Sequence, residues 1–175
     1  TNWIPAGRVS IPSGTLRAQM MPGMKVTESL KPVSIRKQGD KHILDIGQNM
    51  AGWLRIRIKG QAGDSIRLRF AERLQADGEI FTKNLRDAHC TDIYVVSGRE
   101  PQDTTWAPRF VYHGFRYVEI SGYPNAKTED FTAEVVDDEM AHTGTFTCSD
   151  ETLNQVLHNA FWGIRSNYKG MPVDC

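Results

Sequence analysis

The chain has 175 residues, and its 21 lysines and arginines are matched by 21 aspartates and glutamates, so the formal net charge is zero. That length suits one core domain with an appendage. The charge balance gives no long-range pull toward nucleic acid or an anionic membrane, which leaves an uncharged partner such as neutral carbohydrate as the expectation.

Residues 1–23 are rich in Pro, Gly, Ser and Met, and Pro5, Pro12 and Pro22 oppose regular ladder pairing. This stretch reads as a linker from a preceding domain, with Met20, Met21 and Met24 expected to pack on a neighbour. The opening residues lack an initiator Met and the basic-then-apolar pattern of a signal peptide. An excised piece of a larger protein is therefore expected. No apolar run approaches the roughly 18 to 20 residues that span a bilayer, so no membrane partner is expected.

From Val33 onward the texture changes to short β-branched runs bounded by turn residues, predicting strands at 33–37, 42–46, 52–59 and 65–72. Their connectors carry the Gly, Asp and Asn that supply positive φ. In WLRIRIKG, Leu54, Ile56 and Ile58 alternate with Arg55, Arg57 and Lys59; IRLRF repeats the pattern with Ile66, Leu68 and Phe70 against Arg67 and Arg69. Half-buried antiparallel strands with a basic outer face follow. That face reads as solvated or covered by a partner domain rather than as a site for an acidic ligand.

Residues 74–92 lack sustained periodicity, and a long loop of this kind is functional or covers another surface. Beyond it, IYVVSG and DFTAEVVDDEM read as strands, and the aromatic stretch 106–124 supplies one or two more. Around a bend at Gly114, simple alternation puts Phe115, Tyr117 and Glu119 on one face and Arg116, Val118 and Ile120 on the other. The whole describes an all-β antiparallel sandwich or jelly roll. Residues 145–148 read as one more short strand. The period then switches: Ser149 is the expected N-cap, and Leu153, Val156, Leu157, Ala160, Phe161 and Ile164 form one face of an amphipathic helix ending near Gly170.

Catalytic constellations are sparse. No GxSxG, HExxH or Gly-rich phosphate loop occurs, and Cys90, Cys148 and Cys175 form no CxxC pair, so neither a metal nor another cofactor is expected. The carboxylates with context, Asp45, Glu72, Glu119 and the run 137–139, nominate no acid and base pair, and that run reads as solvated at a domain boundary. His113 reads as hydrogen-bonded scaffold. Aromatic faces beside polar ends are nonetheless what a sugar platform uses, which makes Trp53, Tyr112, His113 and Tyr117 candidate carbohydrate contacts.

Four stretches taken in order resemble the bacterial α-L-rhamnosidases of glycoside hydrolase family 78: DIGQNMAGWLRIRIKG, AERLQADGEIFTKNLRDAHCTDIYVVSG, PRFVYHGFRYVEISGYP and GTFTCSDETLNQVLHNAFWGIRSNYKGMPVDC. The resemblance runs from about Met24 to Cys175. It implies a concanavalin-like β-sandwich at 24–141, followed at 142–175 by the start of a catalytic (α/α)6 barrel whose general acid and base lie downstream. It also implies inverting removal of terminal α-L-rhamnose by the parent enzyme, a sandwich that is itself non-catalytic, and partners in that barrel and in a rhamnose-containing glycoside. By the same resemblance Asp174, in the family's P-x-D-C phrase, contacts the rhamnose hydroxyls.

Overall fold

A computed structural model describes residues 3–173. Among them lie eight strands, β1 (Met24–Leu30), β2 (Ser34–Gln38), β3 (Lys41–Arg57), β4 (Ser65–Ala71), β5 (Thr91–Val95), β6 (Thr105–Trp106), β7 (His113–Ser121) and β8 (Phe131–Asp138), and one α-helix, α1 (Glu151–Asn167). The strands join in the order β1-β8-β3-β7-β4-β5, with β2 and β6 also pairing on β3, and every pairing is antiparallel. Residues 3–23 form no strand or helix and are exposed.

β3 organises the sheet. It unites the segments predicted separately at 42–46 and 52–59, because the connector between them is not a turn: the register on β7 shifts between Asp45 and Met50, so the extra residues bulge out of a continuous strand. The early part of β3 pairs with β2 and β7, and the later part with β8. Gly52 stands at the changeover, opposite both His113 and Val135. A Cβ there would lie 1.9 Å from the Glu134 carbonyl oxygen, so the approach of β8 requires glycine. The sheet curls across this strand and closes on its own apolar face.

Within the curl, Leu44, Leu54, Ile56, Ile66, Leu68, Phe70, Val118, Ile120, Phe131 and Ala133 are fully buried in one cluster. The alternation read in β3 and β4 is thus realised. Phe115 departs from it. Opposite the β3 bulge the β7 backbone breaks step, and Phe115 enters the main core with Val118 and Ile120 instead of sharing the Tyr117 face. On the reverse face Ile43, Ala71 and Ile80 make a smaller cluster, with Leu74 and Tyr117 packed against it. Through Leu74 and Ile80, which form an isolated bridge, the long loop covers that second face.

Met24–Leu30, which sequence pattern leaves unassigned, is a strand because β8 supplies a complete partner edge. Three further expectations change. Residues 145–148 form no strand. The helix is capped by Asp150, not Ser149, the carboxylate accepting from the Thr152 and Leu153 amides at 2.9 and 3.3 Å. Lastly, Asp137 and Asp138 are buried, since one side of β8 faces the core and the end of α1 closes over its terminus.

Candidate functional site

Four of the five basic side chains predicted on the outer face of the sheet are paired with acids from within the fold; Arg67 is the exception among the described residues. Arg57 Nη1 bonds Asp103 at 2.6 Å, Lys59 bonds Asp130 at 2.7 Å and Arg69 bonds Glu119 at 2.8 Å. Arg55 donates from Nε and Nη2 to the two oxygens of Glu134, at 2.7 and 3.0 Å, in a two-pronged pair. Glu134 Oε2 also accepts the Trp53 indole N–H at 2.5 Å. One buried carboxylate thereby fixes both Trp53 and Arg55.

The segment 105–112 starts beside β3, Trp106 paired with Ile56, and with β3 bounds a cleft of about 1050 Å³. Trp53, Arg55, Trp106, Phe110 and Tyr112 line it, with Val136 contributing from β8. Trp106 is held by packing against the main core and against Tyr94, 5.2 Å away between ring centres. Phe110 has φ +62° and a fully exposed ring. Lys169 Nζ lies 5.5 Å from the centre of the Tyr112 ring and donates to the Val136 carbonyl and, at 3.0 Å, to that of Arg165. Burial holds the Lys169 ammonium below the usual lysine range, although Asp137 and Asp138 pull the other way.

Of the candidate carbohydrate contacts, the structure brings Trp53 and Tyr112 together and places the other two elsewhere. His113 is buried, stacks on Phe70 with ring centres 4.4 Å apart, and bonds Asp92 Oδ1 at 2.9 Å. Tyr117 lies on the reverse face, beneath the Arg116 guanidinium at 5.1 Å. Asp174 lies outside the described residues. Sequence reasoning missed Trp106 and Arg55 as lining of the cleft and Glu134 as the carboxylate that holds Trp53 and Arg55; the strict alternation of WLRIRIKG puts Trp53 and Arg55 on one face, but nothing local shows that 105–112 meets it.

A second cluster joins α1 to the sandwich. Arg165 donates from Nε to Asp137 Oδ2 at 2.9 Å, from Nη1 to Glu28 at 2.7 Å and from Nη2 to Thr27 at 3.0 Å. Its guanidinium also lies over the Trp162 ring, 4.5 Å from the centre, and Trp162 packs on the main core. Burial disfavours the Arg165 charge, but the bonds to Glu28 and Asp137 outweigh it and raise the pKa. Asp138 Oδ2 accepts the Gly170 amide at 2.6 Å, and Tyr168 bridges to Pro172. Residues 168–172 are thereby anchored to the end of β8, while Leu153, Val156, Leu157 and Ile164 of the helix stay exposed.

Among the described residues no group of three His, Cys, Asp or Glu side chains is placed to hold a metal ion, and no helix is long and apolar enough to cross a membrane.

Comparison with known proteins agrees with this architecture. Residues 35–137 match the family described as the bacterial alpha-L-rhamnosidase concanavalin-like domain, and residues 141–175 match the bacterial alpha-L-rhamnosidase 6 hairpin glycosidase domain. An alpha-L-rhamnosidase of Streptomyces avermitilis is 39% identical over 175 residues, covering 99% of this chain and 16% of the relative. The structure of alpha-L-rhamnosidase from Dictyoglumus thermophilum superposes with a TM-score of 0.87 at 37% identity, over 93% of this chain and 18% of that one. The Streptomyces avermitilis alpha-L-rhamnosidase complexed with L-rhamnose superposes with a TM-score of 0.85 at 38% identity, over 90% and 15% respectively. The chain thus spans less than a fifth of the length of these relatives.

Proposed function

The chain belongs to the bacterial alpha-L-rhamnosidase concanavalin-like domain family, and from that premise we propose that it is the non-catalytic β-sandwich of an α-L-rhamnosidase, with residues 142–175 opening the catalytic helical barrel. The whole enzyme removes terminal α-L-rhamnose with inversion, using an acid and a base from the barrel, and Asp174 contacts the sugar hydroxyls there.

One observation carries this reading: α1 is clamped to β1 and β8 at its C-terminal end while its apolar face, Leu153, Val156, Leu157 and Ile164, is exposed. An amphipathic helix held this way supports an element that packs on its outward face. The chemistry agrees. Of the six carboxylates buried among the described residues, four, Glu119, Glu134, Asp130 and Asp137, are engaged by a lysine or arginine, which suits a scaffold better than a proton shuttle.

The test is hydrolysis of an aryl α-L-rhamnoside by this chain and by one extended through the helical domain, with the anomer of the first product read by NMR. Expected is no turnover by the chain alone, and release of β-L-rhamnose by the extended one. Turnover by the chain alone that survives Asp174→Ala overturns the non-catalytic assignment; release of the α-anomer overturns inversion.

A further inference from the structure

We propose that the cleft between the 105–112 segment and the outer face of β3 binds a saccharide, with Trp53 and Tyr112 as stacking surfaces and Arg55 as donor to sugar hydroxyls. The choice of a rhamnose-containing sugar rests on the rhamnosidase reading above. The site itself rests on the geometry.

Trp53 is preorganised. Its indole N–H is already bonded to Glu134, and Glu134 is held by the Arg55 fork, so the ring is oriented before any ligand arrives. A ring fixed in this way loses little rotamer freedom on binding, and it lines the cleft, where an indole suits the C–H surface of a pyranose. Arg55 uses Nε and Nη2 on Glu134, while its Nη1 makes no protein hydrogen bond in the described structure, on a side chain that lines the cleft. Because Glu134 balances the Arg55 charge, that donor suits a neutral hydroxyl and does not demand an anion.

The cleft's volume sets the size of the occupant. At about 1050 Å³ it is at the large end for a small-molecule site and has room for more than one sugar ring. Tyr112 lies beside Lys169, which is anchored on Val136. Phe110, a non-glycine residue in the left-handed region with an exposed ring, stands at the mouth, and backbone strain of this kind collects at binding sites.

The experiment is an NMR titration of this chain with methyl α-L-rhamnoside, an α-L-rhamnosyl disaccharide and, in parallel, cellobiose, each to about 50 mM, well above the Kd expected of a single weak sugar site. Saturable shifts of the Trp53 indole N–H and of residues 105–112 are expected with the rhamnosides, more strongly with the disaccharide. Tyr112→Ala should weaken binding about tenfold or more. Phe110→Ala, which removes a fully exposed ring and so preserves the fold, should weaken it about threefold, a typical loss for a rim contact. No saturable shift with any of the three sugars overturns the site, as do shifts that both variants leave unchanged. Equal binding of cellobiose overturns the rhamnoside assignment. A cleft that fails leaves the rhamnosidase reading standing, because hydrolysis by the extended chain decides that reading separately.

Discussion

Arg165 Nε donates to Asp137 Oδ2 at 2.9 Å, joining the last turn of α1 to the end of β8 through two side chains that are 12% and 6% exposed. This bond makes the helix part of the sandwich, even though its apolar stripe faces away.

Replacing Arg165 by Met keeps much of the packing on Trp162 but strands Asp137 as a buried charge without its guanidinium partner, left with the Thr27 hydroxyl as a donor. The expected loss is about 3 kcal/mol in urea denaturation, since removing one partner of a buried pair leaves the other uncompensated. Hydrogen exchange in α1 should rise along with it. An unchanged midpoint would mean that the junction is not a stabilising element.

Gly52→Ala should be among the most damaging single-methyl additions in the chain. The new Cβ meets the backbone oxygen of Glu134 at 1.9 Å, and backbone cannot move aside as a flexible side chain can. Separating β3 from β8 disturbs two pairings at once, and a loss of about 3 kcal/mol or more is expected, at the upper end of overpacking effects. Gly114→Ala on the neighbouring strand, where the nearest atom is 4.0 Å away, is the control and should cost about 1 kcal/mol or less.

His113→Ala removes the ring stacked on Phe70 and the hydrogen-bond partner of Asp92 Oδ1, while Asp92 Oδ2 has no partner among the described residues. Cavity and orphaned carboxylate together should cost about 3 kcal/mol in thermal or chemical denaturation. The double variant His113→Ala with Asp92→Ala should recover part of that loss, because the unsatisfied acid goes too. A double variant less stable than the single one would refute the pairing.

Acid stability should depend on Glu119. Burial pushes its carboxyl up, but bonds from Lys41 and Arg69, at 2.8 Å each, outweigh this and hold it below the usual glutamate range. Asp45 behaves likewise: burial raises it, and the Arg116 fork and the Gly47 amide bring it below normal. A carboxyl with a depressed folded pKa stabilises fully above its unfolded value, near pH 4 to 4.5, and loses that contribution as pH falls through the folded value. Urea midpoints taken from pH 6 to pH 3 should therefore fall, and Glu119→Gln should be less stable at pH 6 with a shallower decline. A decline in Glu119→Gln as steep as in the parent chain would remove Glu119 as its source.

The sequence by itself determined the all-β class, the inward residues of β3 and β4, the helix and its apolar stripe. Each depends on a period of two or of 3.6, and short-range alternation is enough to say which side chains share a face. Its motifs were also enough to place the chain in its family. What only the tertiary structure decided is which segment covers each face. Trp53 and Arg55 become the lining of a cleft because residues 105–112, some 50 positions later, bound it with them. Asp137 and Asp138, which read as a solvated run, are buried because the end of α1 and the turn after it, about 30 residues away, supply Arg165 and the Gly170 amide. Phe115 changes face because of a bulge in a different strand. In each case the deciding contact is long in sequence, where local pattern carries no information about what lies opposite.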